Sequence, residues 1–181
     1  MKATPHGIPD VILIEPAVFD DERGFFFESF NCRRFAELIR RDVAFVKDNH
    51  GHSDKNVPRG LHYQVRQPQD KLMRVVQGEV FDVAVDIPKS SLTFGHWVGE
   101  ILLADNKKQL WIPEGFADGF LVLSKTADCV YKATDYYVSA YERCVAWDDI
   151  VFNISWPLGA QPTLSANAAL GLRLGMAKVF K

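Results

Sequence analysis

A histidine, a lysine and a tyrosine in this sequence have side chains suited to moving a proton at carbon: His62, Lys71 and Tyr131. A neutral imidazole can remove a proton from a carbon that an adjacent carbonyl group acidifies. An ammonium group against the carbonyl oxygen would stabilise the enolate that develops, and a phenol on the opposite wall could return the proton to the other face. Together, the three residue types indicate inversion of a carbon next to a ketone.

Each of the three residues also has an ordinary structural explanation. His62 can be a buried histidine with its hydrogen bonds satisfied, Lys71 a surface lysine and Tyr131 a core aromatic residue. Taken singly, these explanations are the more common ones. Only the co-occurrence of the three in one fold favours a catalytic interpretation.

The elements that must position these residues are short strands. Turn signals such as Gly78, Pro113-Glu114-Gly115 and Asp148-Asp149 separate short apolar segments, and no helix-length period interrupts them. This pattern predicts an all-β sandwich, jelly roll or barrel, with one early helix over residues 33–40. The other predicted elements are strands at 12–14, 25–30, 72–77, 80–87, 96–103, 109–112, 120–123, 129–133 and 144–147, and a short helix or loose cover after 166.

The segment after Gly78 places polar residues on an otherwise apolar face. Strict alternation puts Val80, Asp82, Ala84 and Asp86 on one side of the strand. A face that carries two aspartates is exposed either to solvent or to a wet cavity, and the sequence leaves both readings open.

The spacing of Pro113, Gly115 and Asp118 is similar to that of the cupin barrels. Metal-binding cupins, however, need His-x-His followed by a Glu near a Gly. Here the pair reads His62-Tyr63-Gln64, Lys71 stands at the Glu position, separated from Gly78 by six residues, and Asp118 stands where a further histidine would be. An ammonium group has no lone pair for a cation and would repel it. We therefore expect a cupin-type β-barrel or jelly roll without a metal.

A second histidine pair, His50-Gly51-His52, lies in a Gly-, Ser- and Asp-rich stretch. We interpret it as a solvated loop rather than as a metal site, because no further ligand stands nearby in the sequence.

Length and charge limit the possible classes of protein. The 181 residues fit one domain over 1–181, and a formal net charge of −2 with both signs interspersed argues against a nucleic-acid-binding surface. The apolar runs are too short to span a bilayer, and the N-terminus lacks the apolar core of a signal peptide. The cysteines Cys32, Cys129 and Cys144 form no CxxC pair. We expect reduced, buried thiols and a cytoplasmic protein without membrane contacts.

From about residue 8 to 165, the order and spacing of the motifs resemble the dTDP-4-dehydrorhamnose 3,5-epimerase (RmlC) family. The resemblance implies a homodimeric cupin-type barrel, with no metal or coenzyme, that epimerises a nucleotide-diphosphate-linked 4-keto-6-deoxyhexose in deoxysugar and O-antigen polysaccharide synthesis. It is carried by Asp21-Glu22-Arg23-Gly24-Phe25-Phe26, Asp48-Asn49-His50, Arg59-Gly60-Leu61-His62, Lys71, residues 78–86, 109–113 and 115–117, and Trp156-Pro157.

The resemblance also implies roles for individual residues. His62 is similar to the family's general base, Tyr131 to its proton donor and Lys71 to the residue that steadies the enolate. Arg23 and Arg59 resemble diphosphate-binding residues, which suits the guanidinium fork. The other expected substrate-binding residues are Glu28, Lys47, Asp48, Asn49 and Glu142 at nucleotide positions, Phe19, Phe26 and Tyr137 in an aromatic wall, and Gln64 and Asp118.

Three positions depart from the family pattern. Ala168 stands where an aspartate normally orients the catalytic histidine, Asp118 replaces a second histidine, and Lys47 replaces a glutamine that meets the thymine base. A histidine without a carboxylate partner loses tautomer control and basicity. Asp118 either orients His62 in place of the missing carboxylate or binds a sugar hydroxyl group. We therefore expect an epimerase that inverts C3 only, with the full 3,5-epimerase as the alternative.

The departures leave further alternatives open. Lys47 donates hydrogen bonds but cannot accept one from the thymine imide, so a CDP-linked sugar is an alternative to a dTDP-linked one. A non-catalytic sugar-nucleotide-binding cupin is a reading from another class, against which the retention of His62, Lys71 and Tyr131 argues. A ketoisomerase, which would use the same enolate, fits the motifs less well.

Overall fold

The computed structural model describes residues 1–164 and 166–181, with the backbone alone at 166 and 167. Antiparallel strands dominate it, as the sequence predicts. The helices are α1 (Cys32–Ile39), α2 (Ala166–Ala169) and two 3-10 turns, Ser139–Tyr141 and Leu174–Met176. The strands are β1 (Lys2–Pro5), β2 (Ile12–Glu15), β3 (Val18–Asp21), β4 (Gly24–Phe27), β5 (Lys47–Asp54), β6 (Pro58–Gln64), β7 (Lys71–Gln77), β8 (Glu79–Asp86), β9 (Trp97–Leu103), β10 (Gln109–Ile112), β11 (Phe116–Val122), β12 (Thr126–Ala133) and β13 (Glu142–Cys144).

Two large sheets form the body of the fold. One has the strand order β1-β2-β10-β7-β12-β5, and the other has the order β13-β6-β11-β8-β9. The buried cluster between them takes Met73 and Leu110 from the first sheet and Val80 and Leu102 from the second. This is the all-β architecture that the turn spacing predicts, with β3 and β4 forming a separate hairpin.

Apolar layers also cover the outer face of each large sheet. Helix α1 packs Phe35 against Trp111 on the first sheet, with 5.2 Å between the ring centroids. The helix begins where the side chain of Asn31 accepts a hydrogen bond from the Arg34 amide, at 3.1 Å, and it ends at Arg40 in the left-handed region. Over the second sheet, the C-terminal segment places Phe152 beside Val83 and Val85.

The alternation in β8 resolves the question that the sequence left open. Val80 and Ala84 point between the sheets, whereas Val83 and Val85 face the C-terminal cover. Asp82 shares the inner face and is 1% exposed. That face therefore lines the interior rather than solvent.

Two local predictions are wrong. The stretch with His50 and His52 is part of β5, because its backbone pairs along the whole length of β12, and this pairing overrides the weak strand propensity of Gly, Ser and Asp. The cysteines are free but not all buried: Cys129 is buried, Cys144 half-buried and Cys32 exposed. Within the part of the chain that is described, no helix is long and apolar enough to cross a membrane.

Candidate active site

A cavity of about 580 Å³ opens between the two large sheets and collects most of the polar residues singled out from the sequence. His62 comes from β6, in the second sheet. Lys71 and Tyr131 come from the neighbouring strands β7 and β12, in the first sheet. The expected residues that also line it are Lys47, Asn49, Arg59, Gln64, Asp118, Tyr137 and Glu142. The imidazole and the phenol are thus carried on opposite walls of one cavity, as the sequence hypothesis requires.

Lys71 lies among carboxyl groups. Its Nζ is hydrogen-bonded and ion-paired to Asp118 Oδ1, with side-chain exposures of 16% and 18%. Burial alone would lower the pKa of Lys71, but the Asp118 carboxylate and its hydrogen bond, with further help from Tyr131 and Asp82, hold the pKa above its ordinary value. The ammonium group therefore stays charged inside the cavity.

Asp82 lies close enough to Lys71 and Asp118 to interact with their charges, and the family resemblance gives it no role although the 78–86 motif contains it. Both of its carboxyl oxygens are buried without a hydrogen-bond partner among the described residues. Burial, followed by the charge of Asp118, raises its pKa well above the ordinary range, and Lys71 acts in the opposite direction. The alternation of β8 was the signal that pointed to it, because a lone aspartate on an apolar face has to meet either a cation or a proton.

The electrostatics of His62 favour a neutral imidazole. Burial is the largest effect and lowers its pKa, Glu142 and Asp118 raise it, and Lys71 and Arg59 lower it further, with a net fall. Nδ1 is buried and has no hydrogen-bond partner in the described part of the chain, and Glu142 Oε1 lies 3.7 Å away from it. Asp118 lies opposite His62 in the β11–β6 register, but its Oδ1 is paired with Lys71.

The pKa of Tyr131 shifts upward, in the direction opposite to that of His62. Burial raises the pKa of its phenol, Lys71 lowers it, and Asp118 raises it again, with a net rise. The hydroxyl group therefore keeps its proton at neutral pH and can donate it.

The mouth of the cavity carries cations and an aromatic ring. Arg59 Nε donates a hydrogen bond to Ser53 Oγ at 2.7 Å, which fixes the guanidinium group against β5. Lys47 Nζ lies 5.7 Å from the centroid of the Tyr137 ring, and burial followed by the charge of Lys71 lowers the pKa of Lys47. The amide nitrogen Nδ2 of Asn49 is buried without a partner among the residues described. These groups can receive an anion and the polar edge of a base.

Two of the predicted binding residues make hydrogen bonds within the chain. Asp48 is on the outer face of β5 and accepts a hydrogen bond from Lys132 Nζ at 2.9 Å. Gln64 lines the cavity, but its amide donates to Gln67 O and Tyr136 O and accepts from the Val138 amide. Asp48 thus lies on the surface and Gln64 holds the 136–138 loop; a substrate contact by either residue stays a prediction.

Four further predicted residues lie on or beside the β3–β4 hairpin and not at the cavity of their own chain. The rings of Phe19 and Phe26 are 67% and 73% exposed. Arg23 pairs with Asp21, with 2.5 Å between its Nη2 and Oδ2, and Glu28 accepts a hydrogen bond from Asn31 at 3.0 Å. One chain alone does not bring these side chains to His62.

The histidine pair on β5 has a partner that the sequence did not reveal. Asp128 on β12 lies with Oδ1 at 2.9 Å from His52 Nδ1 and 3.4 Å from His50 Nε2. Even so, over residues 1–164 and 166–181 no group of three or more His, Cys, Asp or Glu side chains has the arrangement of a metal site.

A comparison with known protein families decides the family. The sequence profile described as dTDP-4-dehydrorhamnose 3,5-epimerase matches residues 5–174. The chain belongs to this family. The 3,5-epimerase of Pseudomonas aeruginosa is 55% identical to it over 180 residues, which cover 99% of each chain.

Solved structures agree with this membership and with the cupin-type fold. The RmlC epimerase of Legionella pneumophila, determined in complex with dTDP-4-keto-L-rhamnose, superposes with a TM-score of 0.96 at 49% identity and covers 98% of this chain and 94% of its own. ChmJ, a 3'-monoepimerase from Streptomyces bikiniensis in complex with dTDP-quinovose, has a TM-score of 0.90 at 29% identity, with 97% and 88% covered.

Ala168, where this chain departs from the family pattern, lies in helix α2. Helix α2 packs against β6, the strand of His62, and Ala168 is 4% exposed. Its methyl group has no atom that accepts a hydrogen bond. Of the rest of the 164–168 motif, Ser165 and the side chains of Ala166 and Asn167 lie outside the described residues.

Proposed function

We propose that this epimerase inverts both carbons next to the ketone, C3 and C5, of a dTDP-linked 4-keto-6-deoxyhexose. The observation that carries the proposal is the placement of His62 and Tyr131 on opposite walls of one cavity, with Lys71 diagonal to Tyr131 across the β7–β12 pair. The 55% identity to a 3,5-epimerase over nearly the whole chain supports the action at two carbons.

The shifts in pKa fit the steps of this reaction. The pKa of His62 is lowered, so the imidazole is neutral and can take the proton from carbon. The pKa of Lys71 is raised, so a cation is available for the enolate oxygen, where a single lost donor costs about 3–4 kcal/mol in known cases. Tyr131 keeps its proton for the opposite face because its pKa is raised.

We propose dTDP as the nucleotide on two grounds: the ligands of solved relatives and the residues at the cavity mouth. Solved relatives are described in complex with dTDP sugars, and Arg59 lies where a diphosphate can receive its guanidinium fork. A CDP sugar remains the second candidate, because Lys47 lacks the acceptor that would pair with a thymine imide. Titration calorimetry with dTDP and CDP decides between them, and tighter binding of dTDP supports the proposal.

Inversion at C3 only is the second candidate for the reaction. Two observations favour it: His62 Nδ1 has no hydrogen-bond partner within the described residues, and a 3'-monoepimerase shares the fold. A weakened base can complete the first inversion and release the product before the second.

Solvent exchange tests the reaction directly. The purified protein is incubated in D₂O with the dTDP-linked 4-keto-6-deoxyhexose, and deuterium is located by NMR. Incorporation at C3 and C5 supports the main proposal, and incorporation at C3 alone supports the mono-epimerase. No incorporation by the wild type with either a dTDP or a CDP keto-sugar supports a non-catalytic binder, and His62→Asn serves as the inactive control.

We further propose that the protein acts as a homodimer in which each β3–β4 hairpin serves the partner's cavity. The exposed rings of Phe19 and Phe26 support this, as does the position of Arg23 away from the cavity of its own chain. If so, mixing Arg23→Ala protomers with His62→Asn protomers restores activity at about a quarter of all sites, since half of the randomly paired dimers contain one intact site. No recovery on mixing, or a monomer by light scattering, would refute the arrangement.

The state of the cysteines bears on where the enzyme works in the cell. Free thiols at the cysteines fit a reducing compartment, so we place the enzyme in the cytoplasm. Its product would serve deoxysugar synthesis for a polysaccharide such as an O-antigen.

A further inference from the structure

One nitrogen of the His62 imidazole is buried and lacks a hydrogen-bond partner among the described residues. This atom is Nδ1. A buried polar atom without a partner costs free energy. An imidazole that accepts a proton through Nε2 also needs its proton held at Nδ1, which an acceptor beside Nδ1 achieves. The site therefore calls for an acceptor at this position.

Two carboxylates lie near enough to affect the charge of His62, and their partners distinguish them. Asp118 lies opposite His62 in the register of β11 and β6, but it is ion-paired with Lys71. Glu142 has Oε1 at 3.7 Å from His62 Nδ1, while its Oε2 accepts a hydrogen bond from the Tyr137 hydroxyl group at 2.9 Å. The Tyr137 contact fixes one oxygen and leaves the other beside the imidazole.

The strand pairing explains why Glu142 is suited to this position. In the β13–β6 pair, Cys144 is opposite His62 and Glu142 is opposite Gln64. Glu142 is thus the diagonal neighbour of His62 on the same face, within reach of a long side chain. A charge-assisted hydrogen bond requires the separation of Glu142 Oε1 and His62 Nδ1 to shorten to about 2.7–2.9 Å.

We infer that Glu142 is the positioning residue for His62: its carboxylate accepts the Nδ1 proton and leaves Nε2 free to take the proton of the substrate. The kinetic part of this inference rests on the proposed epimerase function. It gives Glu142 a role other than the nucleotide contact that the family resemblance implies, and it supplies from β13 a carboxylate where position 168 has only a methyl side chain.

The charges around His62 determine what removal of Glu142 does. Burial, Lys71 and Arg59 lower the pKa of the imidazole, whereas Glu142 and, to a smaller extent, Asp118 raise it. Without the Glu142 carboxylate, the larger of the two opposing charges is lost. The imidazole then becomes a weaker base, and protonation begins only at lower pH.

The test compares Glu142→Gln and Glu142→Ala with the wild type. Nitrogen-15 NMR of the His62 ring, assigned with His62→Asn, reports the tautomer in the absence of substrate. The NMR spectra should show the Nδ1–H tautomer in the wild type and a mixture of tautomers in Glu142→Ala. In both variants, kcat should fall on the order of 100-fold, and the acid limb of kcat/KM should move to lower pH. The matched control is Glu100→Gln, which removes a carboxylate 3.5 Å from His6, and it should change none of these quantities.

Failure of the Glu142 inference and failure of the proposed function give different results. If both variants keep the wild-type tautomer and acid limb while only KM rises, Glu142 contacts the nucleotide alone and the inference is overturned. If the wild type shows no exchange with any keto-sugar, the proposed function fails, but the substrate-free NMR spectra still decide the role of Glu142. Glu142→Gln keeps the size of the side chain and an acceptor for Tyr137, so a folding defect in Glu142→Ala does not remove the test.

Discussion

Asp118→Asn isolates the ion pair that keeps a cation in the cavity. Removing one partner of a buried pair leaves an uncompensated charge and typically costs about 3–5 kcal/mol. Here the nearby carboxyl of Asp82 offsets part of that cost. Its pKa is raised by burial and then by the Asp118 charge, so the loss of that charge lowers the pKa of Asp82 and favours its ionised form beside Lys71. We therefore expect Asp118→Asn to lower the free energy of unfolding by about 2–3 kcal/mol at pH 7.

The dependence on pH follows from the direction of the shift. The pKa of Lys71 is raised in the folded protein, so the stabilisation is fully present below the unfolded pKa of about 10.4 and is lost as the pH rises through the folded value. In the Asp118→Asn variant, the pKa of Lys71 falls, because burial still lowers it and the Asp118 charge no longer raises it. The alkaline limb of kcat/KM should then move to lower pH, because the neutral amine no longer stabilises the enolate.

Thermal unfolding and pH–rate profiles measure these two effects. For a chain of this size, 1 kcal/mol corresponds to about 2–4 °C, so Tm should fall by about 4–12 °C. The control is Asp148→Asn, which breaks an ion pair with Arg173 (3.0 Å) whose two side chains are about half exposed, and it should cost less than about 1 kcal/mol. If Asp118→Asn matches this control in Tm and leaves the alkaline limb in place, Asp118 does not hold Lys71 in its charged form.

Three further predictions use other parts of the site. Because burial lowers the pKa of His62, the acid limb of kcat/KM should lie below 6.5, and a limb above neutrality would contradict a neutral buried base. Lys47→Gln restores an acceptor for the thymine imide, so calorimetry should show the ratio of dTDP to CDP affinity rising by about 10-fold; an unchanged ratio would count against this contact. Gly60→Ala should lower the free energy of unfolding by at least about 1–3 kcal/mol, because φ is +117° and a Cβ would lie 2.5 Å from Asp118 O. Gly159→Ala, with no atom of the described residues within 4 Å of a Cβ, should not change Tm.

The sequence predicts the residues of the site better than it predicts their pairing. Residue types and the alternation of β8 are local features, so they place Asp82 on one face of its strand, exposed either to solvent or to a cavity, and His62, Lys71 and Tyr131 in one fold. The contact between Lys71 and Asp118 joins residues 47 positions apart on different sheets. No local pattern encodes that distance, and Asp118 therefore entered the sequence analysis with two alternative roles, neither of which involved Lys71.

Strand β5 shows the same limit at the level of secondary structure. Its sequence, from Lys47 to Asp54, is rich in residues that disfavour strands, and it reads as a loop. Its extended form comes from backbone pairing with β12, which depends on the whole sheet. Strand β13 is only three residues long, and its pairing with β6 brings Glu142 next to His62 in a way that composition cannot reveal.

One physical cause suits His62 and Tyr131 to their proposed roles as base and acid. Burial disfavours whichever form of a group is charged, so it lowers the pKa of the His62 imidazole and raises the pKa of the Tyr131 phenol. Both groups are thereby kept neutral, one able to accept a proton and the other to donate one. Lys71 has to be charged in the same surroundings, and burial opposes that charge, so the carboxylates around it must outweigh burial. The Asp118 carboxylate of β11 is therefore needed by the cation rather than by the base, and in our proposal β13 supplies the carboxylate for His62.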